Sequence, residues 1–338
     1  MIIPVKTSKG QYDIVLKRGA LKEVGDYLDL NRKVLVVTDS GVPKEYAECV
    51  AASSKDAAIV TIKEGETSKQ IDTLQTVLTA LVENNFTRTD CIVAVGGGVV
   101  GDLSGFAASI YMRGIDFYNI PTTVLSQVDS SIGGKTAIDY MGVKNIVGAF
   151  YPPKKVIVDL ETLKTLPRRQ ISNGLAEAVK MAATSDEKLF SLFETSQNIM
   201  DDVDTIIESS LRIKKSVVEA DEGEKGLRRI LNFGHTVGHA IESTLNMQEL
   251  YHGECVAIGM LYMCSSEVGK RLVKVLNKLN LPTETQIESE KLISKIKLDK
   301  KASGEDINIV LVNKIGEFEM KKIPQTQLAE MIRGVNIK

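Results

Sequence analysis

The chain contains no tryptophan, and aromatic residues make up only 5% of its 338 positions. No stretch reaches the roughly 18 uncharged apolar residues that a membrane-spanning helix needs. The first residues also lack a basic segment followed by a long apolar run, so we expect no signal peptide. These absences predict a cytoplasmic protein that does not act at a membrane.

Cysteine is scarce as well, and the four cysteines form no CxxC pair. This pattern favours small core side chains in a reducing compartment over a disulfide framework. The four are Cys49, Cys91, Cys255 and Cys264.

Neither sign of charge is in excess, because 42 Lys and Arg face 44 Asp and Glu, for a formal net charge of -2. Such a balance gives no bulk attraction to nucleic acid or to an anionic membrane. An anionic substrate must therefore be held by a local cluster of cations. We expect a small-molecule partner and no nucleic acid.

The first half of the chain alternates strands with helices. Apolar runs at 34–38, 58–62, 91–95, 116–120 and 155–159 are typical of buried strands, and two short strands precede them. Apolar residues recur at helical spacing across 68–84. Because parallel neighbours need crossover connections, this alternation predicts a mostly parallel α/β sheet.

The second half reads differently, with helical periodicity from Ser172 to about Leu281. We expect Ser172 or Asn173 to cap the first of these helices. A later pair of runs, 307–312 and 318–323, flanks a turn and predicts a hairpin. We place a domain boundary near Pro167, which gives domains of 1–167 and 168–338.

A glycine turn follows the strand at 91–95. Gly96, Gly98 and Gly101 formally match GxGxxG, a pattern that lets the backbone approach a pyrophosphate at a helix N-terminus. A tight turn without a ligand has the same pattern. Asp39, at the end of an earlier strand, could hold a ribose, and the segment from Glu64 to Lys69 is another polar turn after a strand.

All three histidines of the chain lie within 18 residues. His235 and His239 are spaced i, i+4 on one face of a predicted helix, and His252 follows. Two histidines and a carboxylate with an open position form a common catalytic zinc site. Glu177 is the candidate carboxylate, since it lies in an apolar helix where an unpaired charge is costly. Core histidines with a surface glutamate are the alternative.

The predicted helix carrying these histidines has a polar stripe. Arg228, Asn232, His235 and His239 are spaced 4, 3 and 4, which places them on one face. A solvated face is disfavoured because the opposite positions are apolar.

A glycine-rich loop at 129–136 offers donors and acceptors that could hold a polyhydroxylated anion, and Lys144 and Asn145 follow it. Its resemblance to a P-loop is superficial, because the pattern requires glycine where Asp129 stands. A P-loop ATPase is therefore rejected.

Five long motifs together resemble the 3-dehydroquinate synthase family of sugar phosphate cyclases, in order and over nearly the whole chain. They are GGGVVGD at 96–102, PTTVLSQVDSSIGGKTAID at 121–139, GLAEAVK at 174–180, RRILNFGHTVGHAIE at 228–242 and HGECVAIGM at 252–260. The resemblance implies an α/β Rossmann-like, NAD-binding N-terminal domain and a mainly α-helical C-terminal domain that binds metal and substrate. It also implies a homodimer, bound NAD and one Zn or Co ion.

The resemblance also implies roles for individual residues. The metal ligands would be Glu177, His235 and His252, so His239 would be an active-site neighbour. Catalytic residues would be Lys135, Lys180, Arg228, Asn232 and His239. Substrate would contact Arg113 (from across the dimer), Asp129, Asn145, Lys214 and a lysine of the 300–301 pair, here taken as Lys301. NAD would contact Asp39, Glu64, Glu66, Lys69, Gly97, Gly98, Val99, Val100, Gly101, Asp102, Thr122, Thr123, Leu125, Asp129, Lys135, Lys144, Thr162, Leu163, Lys164 and Thr165.

The implied reaction converts 3-deoxy-D-arabino-heptulosonate 7-phosphate to 3-dehydroquinate and phosphate. It runs through transient oxidation by NAD, phosphate elimination, reduction, ring opening and aldol closure, as the second step of the shikimate pathway. Three alternatives share the main features: another sugar phosphate cyclase, a metal-dependent NAD alcohol or glycerol-phosphate dehydrogenase, and a non-catalytic NAD- and metal-binding regulator.

Overall fold

The computed structural model describes residues 1–8, 10–245, 249–299 and 306–334. The chain divides into two units, Met1–Pro167 and Arg168–Lys338, each with its own internal contacts. The first unit is an α/β domain and the second is mainly helical.

A seven-stranded sheet forms the centre of the first unit, in the order β1-β2-β9-β6-β5-β3-β4. Only β1 is antiparallel to its neighbour, and the other six strands run parallel. The bounds are β1 Ile2–Thr7, β2 Gly10–Leu16, β3 Lys33–Asp39, β4 Asp56–Ile62, β5 Cys91–Gly96, β6 Asp116–Pro121 and β9 Lys155–Val158. The parallel sheet predicted from the apolar runs is confirmed.

Apolar layers cover both faces of this sheet. On one face, helices α3 and α4 pack against the sheet through residues such as Leu81 and Leu103. On the other face, helix α2 and the segment that begins at Ala20 pack against it, with Val50 in that layer. Burial on both faces explains why the central strands are continuous apolar runs. The helices are α1 Val24–Tyr27, α2 Lys44–Ala52, α3 Ile71–Glu83 and α4 Gly98–Ile110.

A hairpin that the sequence did not predict leaves this sheet. Its strands are β7 Lys135–Tyr140 and β8 Val143–Phe150, so the second part of the supposed glycine-rich loop is a strand. Met141 and Gly142 form the turn, with φ of 51° and 77°. Such turns usually contain Asn-Gly or Asp-Gly, and methionine in the first position conceals the signal.

Eight helices and one hairpin make up the described part of the second unit. They are α5 Arg168–Ser185, α6 Glu187–Thr195, α7 Val203–Ala220, α8 His235–Thr244, α9 His252–Leu261, α10 Ser266–Lys278, α11 Ser289–Asp299 and α12 Gln325–Gly334, with β10 Asp306–Lys314 paired to β11 Glu317–Pro324. The predicted late hairpin is confirmed. Within the described residues, no helix combines the length and apolar character that a membrane span requires.

Two local predictions in this unit were wrong. Helix α5 begins at Arg168, directly after Pro167, and Asn173 lies inside it instead of capping it. The predicted continuous helix through Arg228 and His239 is broken. Residues Leu227–Asn232 form a 3-10 helix, and Gly234 takes a left-handed φ of 78° before α8 begins. Only glycine adopts that conformation without strain, which explains the break.

Candidate functional site

The glycine turn joins β5 to α4 at the carboxyl edge of the sheet. Gly96 ends β5, Gly98 begins α4, and the Gly96 carbonyl accepts a 2.9 Å hydrogen bond from the Thr122 amide. A Cβ at Gly97 would lie 3.2 Å from Thr123 Cγ2, and one at Gly98 would lie 3.0 Å from Ser130 Oγ. The turn is therefore tightly packed, and the unpaired amides at the start of α4 can receive a phosphate.

The chain direction reverses at this edge, between β3 and β5. From β3 the chain moves outward to β4 and then returns to the other side of β3, as β5 followed by β6. Ligands of open α/β sheets bind at the carboxyl ends of strands at such a switch point. Asp39, Glu64, Thr122 and the 3-10 segment Leu160–Thr165 all follow strands at this edge.

Two carboxylates flank the adenosine side of the predicted cofactor site. Asp39 Oδ1 accepts a 2.8 Å hydrogen bond from the Gly41 amide. Burial raises the pKa of Asp39, and the nearby charge of Glu64 adds to the increase. Carboxylates of this kind are suited to accept hydrogen bonds from a ribose diol.

A buried lysine just before α3 contacts Asp102 of helix α4. Lys69 is 4% exposed, and its Nζ lies 2.5 Å from both Asp102 Oδ2 and Asn145 Oδ1. Burial opposes the charge, but the attraction of Asp102 and Glu66 outweighs it and raises the pKa of Lys69. Asn145 was predicted to bind substrate, and here its side-chain oxygen faces this lysine.

Three helices of the second unit contribute residues to the candidate metal site. Glu177 on α5 is 1% exposed, and its Oε1 has no hydrogen-bond partner among the residues that the structure describes. His235 Nε2 at the start of α8 lies 3.8 Å from that oxygen, and His252 Nε2 at the start of α9 lies 3.6 Å from it. Ligand atoms of a tetrahedral zinc at about 2.1 Å lie about 3.4 Å apart, so this donor set fits one divalent ion.

The other ring nitrogen of each histidine is also contacted. His235 Nδ1 lies 3.2 Å from the Phe233 carbonyl, and His252 Nδ1 lies 3.5 Å from Glu242 Oε2. A hydrogen on each Nδ1 leaves each Nε2 lone pair pointing to Glu177. Such outer partners fix the tautomer of ligating histidines and raise their basicity.

These environments shift the pKa values of His235 and His252 in opposite directions. Burial lowers the pKa of His235 well below its usual value, and the charge of Lys180 adds to the effect. Burial also opposes protonation of His252, but its bond to Glu242 and the charge of Glu177 outweigh this and raise its pKa. Burial therefore favours the neutral form of His235, which is the form that ligates a metal ion.

His239 offers a second way to complete a donor set. The ligand atoms of His235, His239 and His252 all lie within 4.8 Å of one another. We favour Glu177 over His239 as the third ligand, because an orphaned buried carboxylate oxygen needs a cation whereas His239 is exposed. His239 then borders the site, with its ring centroid 5.7 Å from that of His252.

The second unit also contains the predicted cations, of which Lys180 contacts a proposed metal ligand. Lys180 is 1% exposed and forms an ion pair with Glu177 Oε2. Lys214 on α7 and Arg228 are buried too, and Arg228 Nη1 donates to the Glu222 carbonyl at 2.8 Å. Asn232 is exposed, with its Nδ2 3.4 Å from Glu224 Oε1.

The remaining predicted residues fall in two groups. Lys301 lies outside the described residues. The others belong to the first unit: Val99 to Gly101 lie in α4, Leu125 and Asp129 in or beside the π-helical turn Ser126–Ser130, Lys135 and Lys144 on the hairpin, Thr123 after β6, and Leu163 and Lys164 after β9. Arg113 is exposed, with a left-handed φ of 69°.

The sequence did not predict four polar residues of the second unit that contact His252 or the residues next to it in helix α9. They are Arg169, Asn173, Glu242 and Glu254. One signal was available: Arg169, Asn173 and Glu177 are spaced by four and share a helix face.

Family models cover most of the chain. One described as 3-dehydroquinate synthase N-terminal matches residues 59–173, and one described as 3-dehydroquinate synthase C-terminal matches residues 174–302. The 3-dehydroquinate synthase of Clostridium acetobutylicum is 38% identical, over 98% of this chain and 99% of the relative.

Two solved structures of related cyclases share the fold of the whole chain. A 2-deoxy-scyllo-inosose synthase complexed with carbaglucose-6-phosphate, NAD+ and Co2+ is 26% identical with a TM-score of 0.88, over 98% of this chain and 99% of that one. A 2-epi-5-epi-valiolone synthase from Streptomyces hygroscopicus with NAD+ and Zn2+ bound is 26% identical with a TM-score of 0.86, over 95% and 96%.

Proposed function

The chain belongs to the 3-dehydroquinate synthase family, and we propose that it performs the reaction of that family with the two residue sets described above. The substrate is 3-deoxy-D-arabino-heptulosonate 7-phosphate, and the products are 3-dehydroquinate and phosphate. The reaction is the second step of the shikimate pathway, and the enzyme is a carbon-oxygen lyase. The family, fold class and enzyme class expected from the motifs are thereby confirmed.

One divalent ion, Zn or Co, is proposed to bind Glu177, His235 and His252. The observation that carries the proposal is the buried, unpartnered Oε1 of Glu177 facing two Nε2 atoms. A bound ion supplies Lewis acidity for a substrate hydroxyl. Lys180 holds the second oxygen of Glu177, which leaves Oε1 directed at the histidines.

NAD is the second cofactor, and the related cyclases were solved with it bound. When bound, NAD would supply reversible hydride transfer to and from the substrate. We propose that the amides at the start of α4 hold the pyrophosphate, that Asp39 and Glu64 hold the adenosine ribose, and that the Lys69 network keeps Asp102 in place.

The cations are proposed to hold the anionic groups of the substrate. Buried Lys214 and Arg228 supply fixed positive charge, which a chain of net charge -2 must concentrate locally. Arg228 suits a phosphate or carboxylate because its planar fork can make two parallel bonds. His239, exposed beside the proposed metal ligands, is proposed to take up the hydroxyl proton during oxidation. Asn232 of the second unit and Lys135 and Asn145 of the first unit are proposed as further substrate-binding residues.

Two other activities can be weighed against this one. A sister cyclase would use the same cofactors, and the two solved cyclases are 26% identical to this chain, compared with 38% for the 3-dehydroquinate synthase. A simple dehydrogenase would not need the three buried cations of the second unit, Lys180, Lys214 and Arg228. Both facts favour the dehydroquinate reaction.

We propose a homodimer, supported by one apolar surface of the first unit. The β7–β8 hairpin exposes Met141 at 85% and Ile146 at 61%, and Met112 beside Arg113 is 43% exposed. Tyr151, after the hairpin, donates to the Ile115 carbonyl at 2.7 Å, which brings Arg113 to the same surface. Apolar patches of this kind mark interfaces. A cytoplasmic location is proposed with it.

The experiment that tests the function supplies the heptulosonate phosphate, NAD and Zn²⁺ to the purified chain and identifies the product by NMR. We expect 3-dehydroquinate and one equivalent of phosphate. A different carbocycle formed only from another sugar phosphate would assign the chain to a sister cyclase.

A further inference from the structure

Three residues of helix α5 form a stripe along one face, one turn apart: Arg169, Asn173 and Glu177. Each contacts one of the first three residues of helix α9, in reverse order. Glu177 Oε1 faces His252 Nε2 at 3.6 Å, Asn173 Oδ1 accepts from the Gly253 amide at 2.7 Å, and Arg169 pairs with Glu254. We call these three residues the α5 stripe.

The pair at the end of the stripe has the geometry of a strong ionic contact. Arg169 Nε and Nη2 donate to the two oxygens of Glu254 at 2.7 and 2.8 Å, and the guanidinium carbon lies 4.3 Å from the centre of the Tyr251 ring. Glu254 Oε2 also accepts from the Tyr251 amide at 2.8 Å, and Arg169 Nη2 donates to the Glu249 carbonyl at 2.7 Å. Arg169 therefore fixes both the chain entering α9 and its first turn.

The middle contact requires glycine. A Cβ at Gly253 would lie 2.0 Å from the Asn173 carbonyl oxygen, which no side chain could tolerate without backbone movement. The two helix backbones therefore approach closely at the residue that follows His252. Because Gly253 contacts Asn173 directly, the backbone of the preceding residue, His252, has little freedom to move away from Glu177.

We propose that Arg169 and Asn173 are positioning residues for the metal site, which hold His252 opposite Glu177 before any ion binds. The inference rests on the proposed function, because it takes Glu177 and His252 as metal ligands. An ion entering such a site need not organise α9, so its affinity is higher than at a loose site. Outer partners of metal ligands commonly contribute 10- to 100-fold to affinity.

The test compares variants of the full-length, metal-free protein in Zn²⁺ titrations against a chromophoric chelator, with steady-state kinetics at rising Zn²⁺. Asn173→Ala removes the bond to Gly253, and Asn173→Asp keeps an oxygen acceptor there. Arg169→Lys removes the fork but keeps the charge. The matched control is Arg271→Lys, because Arg271 pairs with both oxygens of Glu194 at 2.8 Å over the Phe190 ring, away from the α5 stripe.

We expect Asn173→Ala and Arg169→Lys to weaken Zn²⁺ binding about 10- to 100-fold, with kcat largely restored at saturating Zn²⁺. Asn173→Asp and Arg271→Lys should bind Zn²⁺ within about twofold of the wild type. Wild-type Zn²⁺ affinity in both Asn173→Ala and Arg169→Lys, or an equal loss of affinity in Arg271→Lys, would overturn the positioning role. A wild-type protein that binds no divalent ion would instead refute the proposed metal site itself, and the positioning role with it.

Discussion

The two proposed ligand sites of this chain use different parts of the protein. In the first unit, the glycine turn offers backbone amides, and a side chain at Gly97 or Gly98 would meet Thr123 or Ser130. In the second unit, the metal cluster depends on charged and aromatic side chains, of which Glu177 and Lys180 are almost fully buried. A substitution cannot remove the backbone amides of the first site, whereas single substitutions can remove the side chains that form the second.

This difference predicts unequal responses to substitution. Removing a metal ligand leaves a buried charge without its partner and removes the ion, so the effect is large and local. Adding a methyl group to the turn only pushes a ligand or a neighbour by a few tenths of an ångström. The predictions below test that contrast.

His235→Ala should have the largest effect, because it removes one of the three proposed metal ligands, whose Nε2 lies 3.8 Å from Glu177 Oε1. We expect loss of the bound ion and a fall in kcat/KM of about 10³-fold or more, the equivalent of several kcal/mol of Lewis-acid stabilisation. Metal analysis of the purified variant checks this, with NAD affinity as the control. Full metal occupancy in the variant would remove His235 from the ligand set.

Arg228→Lys should come next. The planar fork is lost but the charge is kept, and a charge-assisted bond contributes about 1.5–3 kcal/mol, or roughly 10- to 100-fold in kcat/KM. Calorimetry should show unchanged NAD affinity, because Arg228 belongs to the second unit. Normal substrate kinetics with collapsed NAD affinity would show that the pocket is assigned wrongly.

Gly98→Ala should weaken NAD binding by about tenfold, or about 1.4 kcal/mol. The new methyl group would lie 3.0 Å from Ser130 Oγ at the start of α4, where the pyrophosphate is expected. Gly25→Ala is the matched control in the same unit, since its Cβ would meet Ser53 at an ordinary 3.7 Å. Zinc affinity should not change in either variant. An equal effect of both substitutions on NAD would mean that the turn is not the pyrophosphate site.

Asp39→Asn should have the smallest effect of the four substitutions. It should raise the stability of the protein slightly and lower its affinity for NAD. Because burial and Glu64 raise the pKa of Asp39, its ionised form destabilises the native state at neutral pH. The variant should be more stable by less than about 1 kcal/mol, since Asp39 is only partly buried, while binding NAD more weakly.

The pH dependence of that gain follows from the same shift. The gain should develop as the pH rises from about 3.9, the ordinary value, through the raised pKa, and it should be absent in acid, where Asp39 is neutral. Denaturant melts of the two proteins at acid and neutral pH measure it. A gain confined to acid would contradict the assigned direction.

Much of the fold was predictable from the sequence. The parallel strands are apolar runs because both faces of the sheet are covered, and the late hairpin flanks a recognisable turn. The β7–β8 hairpin was missed because its turn is Met141-Gly142, and the break before α8 was missed because the spacing of Arg228, Asn232 and His235 suits one continuous helix. Local spacing cannot show a left-handed glycine that interrupts it.

The candidate site divides in the same way. Clustering of all three histidines pointed to the metal cluster, and the apolar surroundings of Glu177 pointed to its carboxylate. Glu242 and Arg169 were not found, because each acts through a contact between helices that sequence position does not encode. Residues that touch a ligand have characteristic types, whereas residues that orient them are ordinary helix residues until the fold is known.

We infer that NAD acts catalytically, and one measurement tests this most directly. Phosphate release and absorbance at the NADH wavelength are followed in one sample with excess heptulosonate phosphate and NAD at a small fraction of its concentration. The account predicts many equivalents of phosphate per NAD with no lasting NADH absorbance. NADH that accumulates in step with product would contradict the account and make the chain a dehydrogenase.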